Sequence, residues 1–590
     1  MKITLIYPPS DCLNCECFTL PNLALPVLAG CLRREGHEVS QVDLDIAFNK
    51  KIRRGDHGVD FNILKYPEKT AAYLKGRLRG PEAALLERIS GLFLGQPGFE
   101  RSELFGITLA GFKMNHFLLN GAALIAHGLK SRYGAPVVIG YNGVPKTIYH
   151  GLLEKYPSFD YAVYSGGGLH LSRLAARLSG GTAGLLSTFE KKKDGTIADH
   201  DAAVRIKVTR PDYAGYPLSA YRLDGTELFS RYAPALSLTR GLIRRAGNPG
   251  QLTAMYHFTD TCRGRCAFCA NRAGGGTNSL SPDEIVEDLF RLKKEEGVTG
   301  VYFINPNFND SYKFAEELCD KMIRRRLGLL WCDCVNFREL DKNLLVKMRR
   351  AGAIKLTFGM ETGSARLLKY IRKGARKEKI SECLKTAHEL GLWNHIELIG
   401  GLPTETDADM QETVSFIKGH SELIDAYSIN PFFMYPSSPF CREPEKFGLR
   451  LLPKGRDTKL DPFSAAEAAG NFSERFDEIR GLKFAEKDAQ IRRSTRLLAE
   501  TVKEVSSGRA IDFEHIHLLM YLYGALGHKQ KPLIRKVVGL LTRKFMPYNL
   551  EKFIPAGDFM KHDYDRVLKE ESGGRRAGSA QMRRTADSHG

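Results

Sequence analysis

Cys262, Cys266 and Cys269 fall within eight positions, in the run Phe-Thr-Asp-Thr-Cys-Arg-Gly-Arg-Cys-Ala-Phe-Cys. Three residues and then two separate them, so one short loop must bring three thiols to one place. A closed tetrahedral zinc site wants a fourth Cys or His at short spacing. His257 lies five residues upstream on a strand-like run, and the next cysteine downstream is Cys319. A zinc knuckle or a chance cluster is the alternative, and it lacks that fourth ligand. A [4Fe–4S] cube gripped by three thiolates keeps one iron open to a further ligand. An open metal position marks a reactive site rather than a structural one.

The run C-x-x-x-C-x-F-C resembles the signature of the radical S-adenosylmethionine (SAM) family. The resemblance implies that Cys262, Cys266 and Cys269 ligate the cluster, that the open iron binds SAM, and that Phe268 lies against the adenine. It also implies chemistry carried by the cofactor, with the protein orienting it and excluding water. Three later motifs follow in the family's order. Lys355 to Lys373 holds a short apolar strand ending Gly-Met-Glu-Thr-Gly, similar to the family's strand-end glutamate, which makes Glu361 a SAM contact. Ile396 to Thr406 ends in Gly-Gly-Leu-Pro-Thr-Glu-Thr and resembles the later strand whose backbone cradles the adenine, here at Gly400 and Pro403. Asn430 to Pro439 resembles the Pro-rich end of the last core strand. After the strand Val301 to Ile304, many relatives carry an acidic pair. This chain has Asn305-Pro-Asn-Phe-Asn, so Asn305 is the expected SAM contact there, without the charge.

The first 190 residues read as alternating strands and helices. Strands are expected at Lys2–Tyr7, Val39–Leu44, Leu104–Leu109, Pro136–Gly140 and Tyr161–Tyr164, with helices such as Leu23–Glu35 and His170–Leu178 between or after them. That alternation implies an α/β, doubly wound parallel sheet. Its ligands bind beyond the carboxyl ends of the strands. Those ends carry Pro9, Thr108, Gly140, Gly143 and Gly166 to Gly168, and small residues let a large ligand approach the backbone. The order of elements is similar to the cobalamin-binding domain of one radical SAM subgroup, and the resemblance makes these residues cobalamin contacts. Two departures are plain: Gly140-Tyr-Asn-Gly143 replaces Gly-Gly, and Ser165-Gly-Gly-Gly168 replaces Gly-Glu-Gly-Glu. No Asp-x-His-x-x-Gly offers a lower cobalt ligand. The alternative is a doubly wound domain that only recognises substrate.

The expected organisation is a cobalamin-binding-like domain at 1–190, a linker at 191–250, a radical SAM core at 251–445, a mostly helical domain at 446–570 and a disordered tail at 571–590. Resemblance makes the core a partial (β/α)6 barrel with its chemistry at the strands' carboxyl ends. Ser281-Pro282-Asp283-Glu284 is a helix start. The helical region, with three- and four-residue apolar spacing in Phe484–Val505 and Ile511–Leu526, is expected to cap the barrel mouth or hold substrate. Cys12, Cys15 and Cys17 are read as free thiols near the first-domain ligand. Cys332 and Cys334 flank Asp333 on a strand, so the two thiols share one face. They are packing residues, or one of them or Asp333 meets substrate. Tyr302, Tyr427, Tyr435 and Arg338 are further candidates to line the barrel.

A hydrophobic fraction of 43% with 26% charged residues places the chain among globular proteins. No apolar run reaches the ~18 residues of a membrane span. The N-terminus reads as a strand and turn rather than a secretory signal, so the 12 cysteines point to a reducing, cytoplasmic compartment. The formal charge of +19 is dispersed, partly in Arg575, Arg576, Arg583 and Arg584, and no nucleic-acid module is present. The resulting expectation is a cobalamin-dependent radical SAM C-methyltransferase using a [4Fe–4S] cluster and SAM. Its substrate is a peptide or natural product, and an electron donor such as flavodoxin or ferredoxin serves it. The rivals are a radical SAM cyclase or rearrangement enzyme without methyl transfer, and a non-catalytic Fe–S scaffold.

Overall fold

The computed structural model describes residues 1–10, 20–52, 55, 58–109, 116–140, 146–202, 206–225, 250–270, 278–452, 473–506 and 516–542. Cys12, Cys15, Cys17, Gly143 and the tail 571–590 lie outside them.

Two parallel sheets dominate. The first holds β1 (Lys2–Tyr7), β2 (Glu38–Asp43), β3 (Leu104–Thr108), β4 (Val137–Gly140) and β5 (Tyr161–Val163), in the order β2-β1-β3-β4-β5. All four pairings among them are parallel. Their apolar runs are buried on both faces, as a doubly wound sheet requires. The sheet then continues past residue 190. β6 (Thr188–Lys191) and β7 (Ile197–His200) form an antiparallel hairpin that extends it to seven strands. The stretch Glu190 to Gly195 reads as linker because it is charged and glycine-bearing, but it is the end of β6 and the turn of this hairpin. Asp194 Oδ1 accepts from the Thr196 amide at 2.9 Å, and Gly195 takes φ 86°.

The second sheet holds β8 (Thr253–Tyr256), β9 (Gly300–Phe303), β10 (Leu330–Val335), β11 (Ala353–Glu361), β12 (Trp393–Gly400) and β13 (Ala426–Pro431), each paired in parallel with its sequence neighbour. β8 and β13 are its edges, so the barrel stays open. Helices alternate with the strands. The one starting at Pro282 is opened by a full capping box between Ser281 and Glu284.

The linker fastens the two sheets together. Tyr216 and Tyr221 both donate to Asp43 Oδ2 at the end of β2, Tyr221 at 2.7 Å. Burial pushes the Asp43 carboxyl up, against those two bonds. Tyr213 donates to the Met255 carbonyl on the β8 edge at 2.5 Å, and Arg210 forks onto Asp288.

The C-terminal helices do not sit where the sequence suggested. Helix Ile516–Leu526 packs at the floor of the open barrel, not its mouth. Its Met520 Sδ lies 3.3 Å from Thr253 Oγ1 at the start of β8, and Tyr523 donates to the Gly391 carbonyl ahead of β12. Burying its almost wholly apolar surface against Cys332, Trp393 and Ala426 decides this. Helix Phe484–Ser506 instead braces the outside of the loop 400–405. A Cβ on Gly401, at φ 83°, would lie 2.5 Å from Ile491 Cα. Gly401→Val is therefore expected to lower the unfolding free energy by at least about 2 kcal/mol, read by chemical denaturation, from strain and overpacking together. Among the described residues no helix is long and apolar enough to cross a membrane.

Candidate active site

The cysteine loop leaves β8 at the carboxyl end of the second sheet. It is pinned in its middle: Ala267 donates to the Ile371 carbonyl and accepts from the Phe440 amide, both at 2.9 Å. A turn closes from the Cys269 amide to the Cys266 carbonyl at 3.2 Å. Cys262, Cys266 and Cys269 are half-buried and outside any disulfide. Among the described residues no three His, Cys, Asp or Glu side chains converge on one ion. Three thiols that grip the corners of a cube stand further apart than ligands of a single zinc, and three soft thiolates are the donor set such a cube takes. Gly264 leaves the space between them clear. A Cβ there would lie 3.1 Å from Cys262 Sγ, 3.8 Å from Cys266 Sγ and 3.4 Å from Arg338 Nη2. Donor type and clearance both fit a four-iron cluster.

Asn305 follows β9 and bonds to the strand end that leads into the cysteine loop. Its Oδ1 accepts from the amides of Phe258 and Thr259, at 3.0 and 3.2 Å, and its Nδ2 donates to Asp333 Oδ2 at 2.7 Å. The side chain expected at SAM thus fixes the start of the cysteine loop. Asp333, on the helix side of β10, is pushed up to about 7 by burial, against the bonds from Asn305 and the Cys334 amide. Two positions on, Asn307 Nδ2 donates to Cys262 Sγ at 3.0 Å, a contact that no sequence motif marks.

Glu361 ends β11 with φ 70°, a left-handed conformation rare outside glycine. Its Oε1 pairs with Lys373 Nζ at 2.6 Å. Burial pulls the Lys373 ammonium down, and Glu361 and then Cys266 more than offset that, holding it at about 12. Lys373 also lies 5.7 Å from the Phe268 ring centroid. Lys373 therefore joins Phe268, Glu361 and the cysteine loop in one constellation. Gly400 and Pro403 are placed beside it on the next strand's end, with Gly400 accepting from the Phe432 amide at 2.9 Å. A Cβ on Gly400 would meet the Thr495 backbone at 2.7 Å.

Register defines the inner face of the open barrel. Met255, Tyr302, Cys332, Lys355 and Trp393 form one row, Cys334, Thr357, His395 and Ala426 the next, and Gly359, Glu397 and Ser428 the third. Cys332 and Cys334 thus share the inner face, as period two requires. Tyr427 faces the helix-side core, Arg338 sits at the cysteine loop, and Tyr435 is exposed. His395 Nε2 bonds Ser428 Oγ at 2.8 Å, while Nδ1 is buried without a partner. Burial, then Lys355, holds the ring well below its ordinary value, so it is neutral.

Glu397, like Lys355 and His395, is an inner-face residue that sequence reading missed. A glutamate inside an apolar strand carries no motif, and only register shows where it faces. Burial first, and then Glu361, push its carboxyl up to about 7, against Lys373 and Lys355. Its ordinary value is 4.5, so between there and 7 the folded chain keeps a proton that the unfolded chain gives up. Stability from this group is complete below 4.5 and is lost as pH rises through 7. Glu397→Gln is expected to match the native chain at low pH. Near pH 8 it should gain on the order of 3 kcal/mol over it in denaturant titrations of the metal-free protein.

The carboxyl edge of the first sheet opens on a cleft of about 470 Å3. Thr108, Gly140, Gly166 and Gly168 line it, with Leu28. Pro9 is buried below it, near Gly121. Gly166 takes φ 45°, and a Cβ there would overlap Ile206. His170 Nδ1 is bonded to the Gly166 carbonyl at 2.7 Å, beneath the turn rather than in the lining. The described walls are mostly backbone and apolar side chains, with Thr108 and Ser165 the polar exceptions, which fits a large ligand held by shape. The far wall is Ile304, from the carboxyl end of β9 in the second sheet.

The model of the radical SAM superfamily matches residues 256–417. An uncharacterized methyltransferase of Pyrococcus horikoshii is 23% identical over 274 residues, 45% of this chain and 54% of that protein. The chain spans little more than half the length of the first curated relatives it matches. Curated relatives include methyltransferases and cyclases. Among solved structures, the radical SAM methyltransferase TsrM of Kitasatospora setae, with cobalamin and a [4Fe–4S] cluster bound, superposes with a TM-score of 0.55 at 16% identity. The match covers 92% of this chain and 99% of that one. The cobalamin-dependent SAM radical enzyme OxsB, with aqua-cobalamin and SAM bound, gives 0.52 at 12% identity, covering 95% and 82%. At these identities the likeness is one of fold, and it extends over nearly the whole chain.

Proposed function

We propose that this chain, whose residues 256–417 form a radical SAM domain, is a cobalamin-dependent radical SAM methyltransferase that acts at carbon on a peptide or natural-product substrate. One observation carries the reading. Ile304, at the carboxyl end of a strand of the second sheet, is also a wall of the cleft in the first. A ligand in that cleft therefore faces the mouth above the cysteine loop, as a donor and an acceptor of a transferred group must.

In this reading Cys262, Cys266 and Cys269 hold the cluster, and Phe268, Glu361, Gly400 and Pro403 bind SAM. Asn305 acts through the loop backbone it fixes. Thr108, Gly140, Gly166 and Gly168 line the cobalamin cleft, and Pro9 underlies it. When bound, these groups supply a hydrogen-abstracting radical and a methyl group. The chain's own residues position and shield. Lys373 neutralises Glu361 and orients its carboxylate. Helix Ile516–Leu526 covers the floor, which shields that end of the inner face from water. Tyr302, Lys355, His395 and Glu397 offer the inner face polar groups for substrate. Near neutral pH the Glu397 carboxyl either donates or accepts a hydrogen bond.

Anaerobic reconstitution with iron, sulfide and hydroxocobalamin tests the proposal. Retained cobalamin, with S-adenosylhomocysteine and a methylated product, supports it. Deoxyadenosine alone favours a cyclase or rearrangement, and intact SAM under strong reductant favours a scaffold. Ile304→Trp, which fills the shared wall, is expected to lower retained cobalamin several-fold while the cluster absorbance stays.

A further inference from the structure

We propose that Asn307 is a potential-setting residue, donating a hydrogen bond to the sulfur of Cys262 so that the cluster accepts an electron more readily. This inference rests on the reading of the cysteines as cluster ligands.

The segment after β9 alternates Asn305, Asn307 and Asn309, and the structure gives the three different work. Asn305 is buried and holds the Phe258 and Thr259 amides. Asn309 is fully buried. Its Nδ2 donates to the carbonyls of Asn336 and Glu339 at 2.8 and 2.7 Å, and its Oδ1 accepts from the Asn336 amide at 2.9 Å. Between them, the Phe308 amide donates to the Cys334 carbonyl at 2.8 Å. The loop is thus pinned on both sides of Asn307, whose Nδ2 is left pointing at Cys262 Sγ, 3.0 Å away. Such outer contacts orient ligands and tune the metal.

Reduction adds one negative charge, shared by the ligand sulfurs. A fixed N–H dipole aimed at one of them stabilises the reduced state more than the oxidised one, and hydrogen bonds to sulfur are a recognised lever on cluster potential. A carboxylate at 307 would oppose that charge. An amide assists it without adding a full charge. Arg338 Nη2, which shares the open space over Gly264 with Cys262 Sγ, adds positive potential on the same side.

The test is an EPR-monitored redox titration of the reconstituted full chain. Asn307→Leu keeps the side-chain volume and removes the donor. At the potential where the native cluster is half reduced, its ratio of reduced to oxidised cluster should fall at least about threefold, roughly 28 mV at 59 mV per tenfold for one electron. Asn307→Asp should fall further. Full iron loading with an unchanged potential in either variant overturns the inference. If neither variant assembles a cluster, the native protein decides. With asparagine side chains labelled with nitrogen-15, pulsed EPR of the reduced cluster should show a nitrogen coupling, and its absence overturns the inference. A native chain that takes up no cluster defeats the proposed function instead, so the two failures are distinct.

Discussion

Replacing Cys262, Cys266 and Cys269 together by alanine is expected to leave a folded protein that gains no brown iron–sulfur absorbance and cleaves SAM only at the background of a protein-free mixture. The loop's shape does not depend on the thiols. Ala267 is stitched to Ile371 and Phe440 through its backbone, Asn305 holds the Phe258 and Thr259 amides, and Asp310 accepts from the Arg263 amide at 2.5 Å. The triple variant should therefore keep the native circular dichroism and denaturation midpoint while losing iron. Cluster absorbance that survives at native intensity would remove the basis of the proposed function. A variant that unfolds would show instead that the thiols are structural.

Lys373→Met is expected to lower the unfolding free energy by about 3–5 kcal/mol, because it strands the Glu361 carboxylate in a buried site. The exposures decide the size of this effect. The two side chains are 13% and 7% exposed, and their atoms meet at 2.6 Å, so neither water nor salt screens the pair. Glu361→Gln alone leaves the ammonium uncompensated and should also destabilise. The double variant should lose much less than the sum of the two, because it removes both charges at once. Equilibrium denaturation of the four proteins closes this cycle. Additive losses would mean that the ion pair is incidental. If Glu361 contacts SAM as proposed, the same Lys373 variant should also weaken SAM binding, since it frees the glutamate that the backbone holds at φ 70°.

Much of the fold is legible in the sequence because its signals are local. The apolar runs at Lys2–Tyr7 and Leu104–Thr108, and the Ser-Pro-Asp-Glu start at 281, each depend on a few neighbouring residues. The hairpin at 188–200 is not legible. Its strands are short, charged and only half-buried, so no alternation separates them from a linker. Helix Ile516–Leu526 is legible as a helix, but not as a floor. Its apolar surface says that it must be covered, and only the start of β8 and the Gly391 turn show by what.

The site divides along the same line. Three cysteines within eight positions mark a candidate ligand set, because spacing alone brings them to one loop. Which asparagine reaches a thiol, which glutamate faces inward and which lysine balances Glu361 depend on strands brought side by side from separate parts of the chain. Asn307 and Cys262 are 45 positions apart, and Gly359 stands opposite Glu397 only through the pairing of β11 with β12. The amino-acid order fixes what chemistry this chain can carry, since that is a matter of residue type and local spacing. The tertiary structure alone decides which groups face that chemistry, because a strand's neighbours are set by the burial of its whole sheet and not by its own residues.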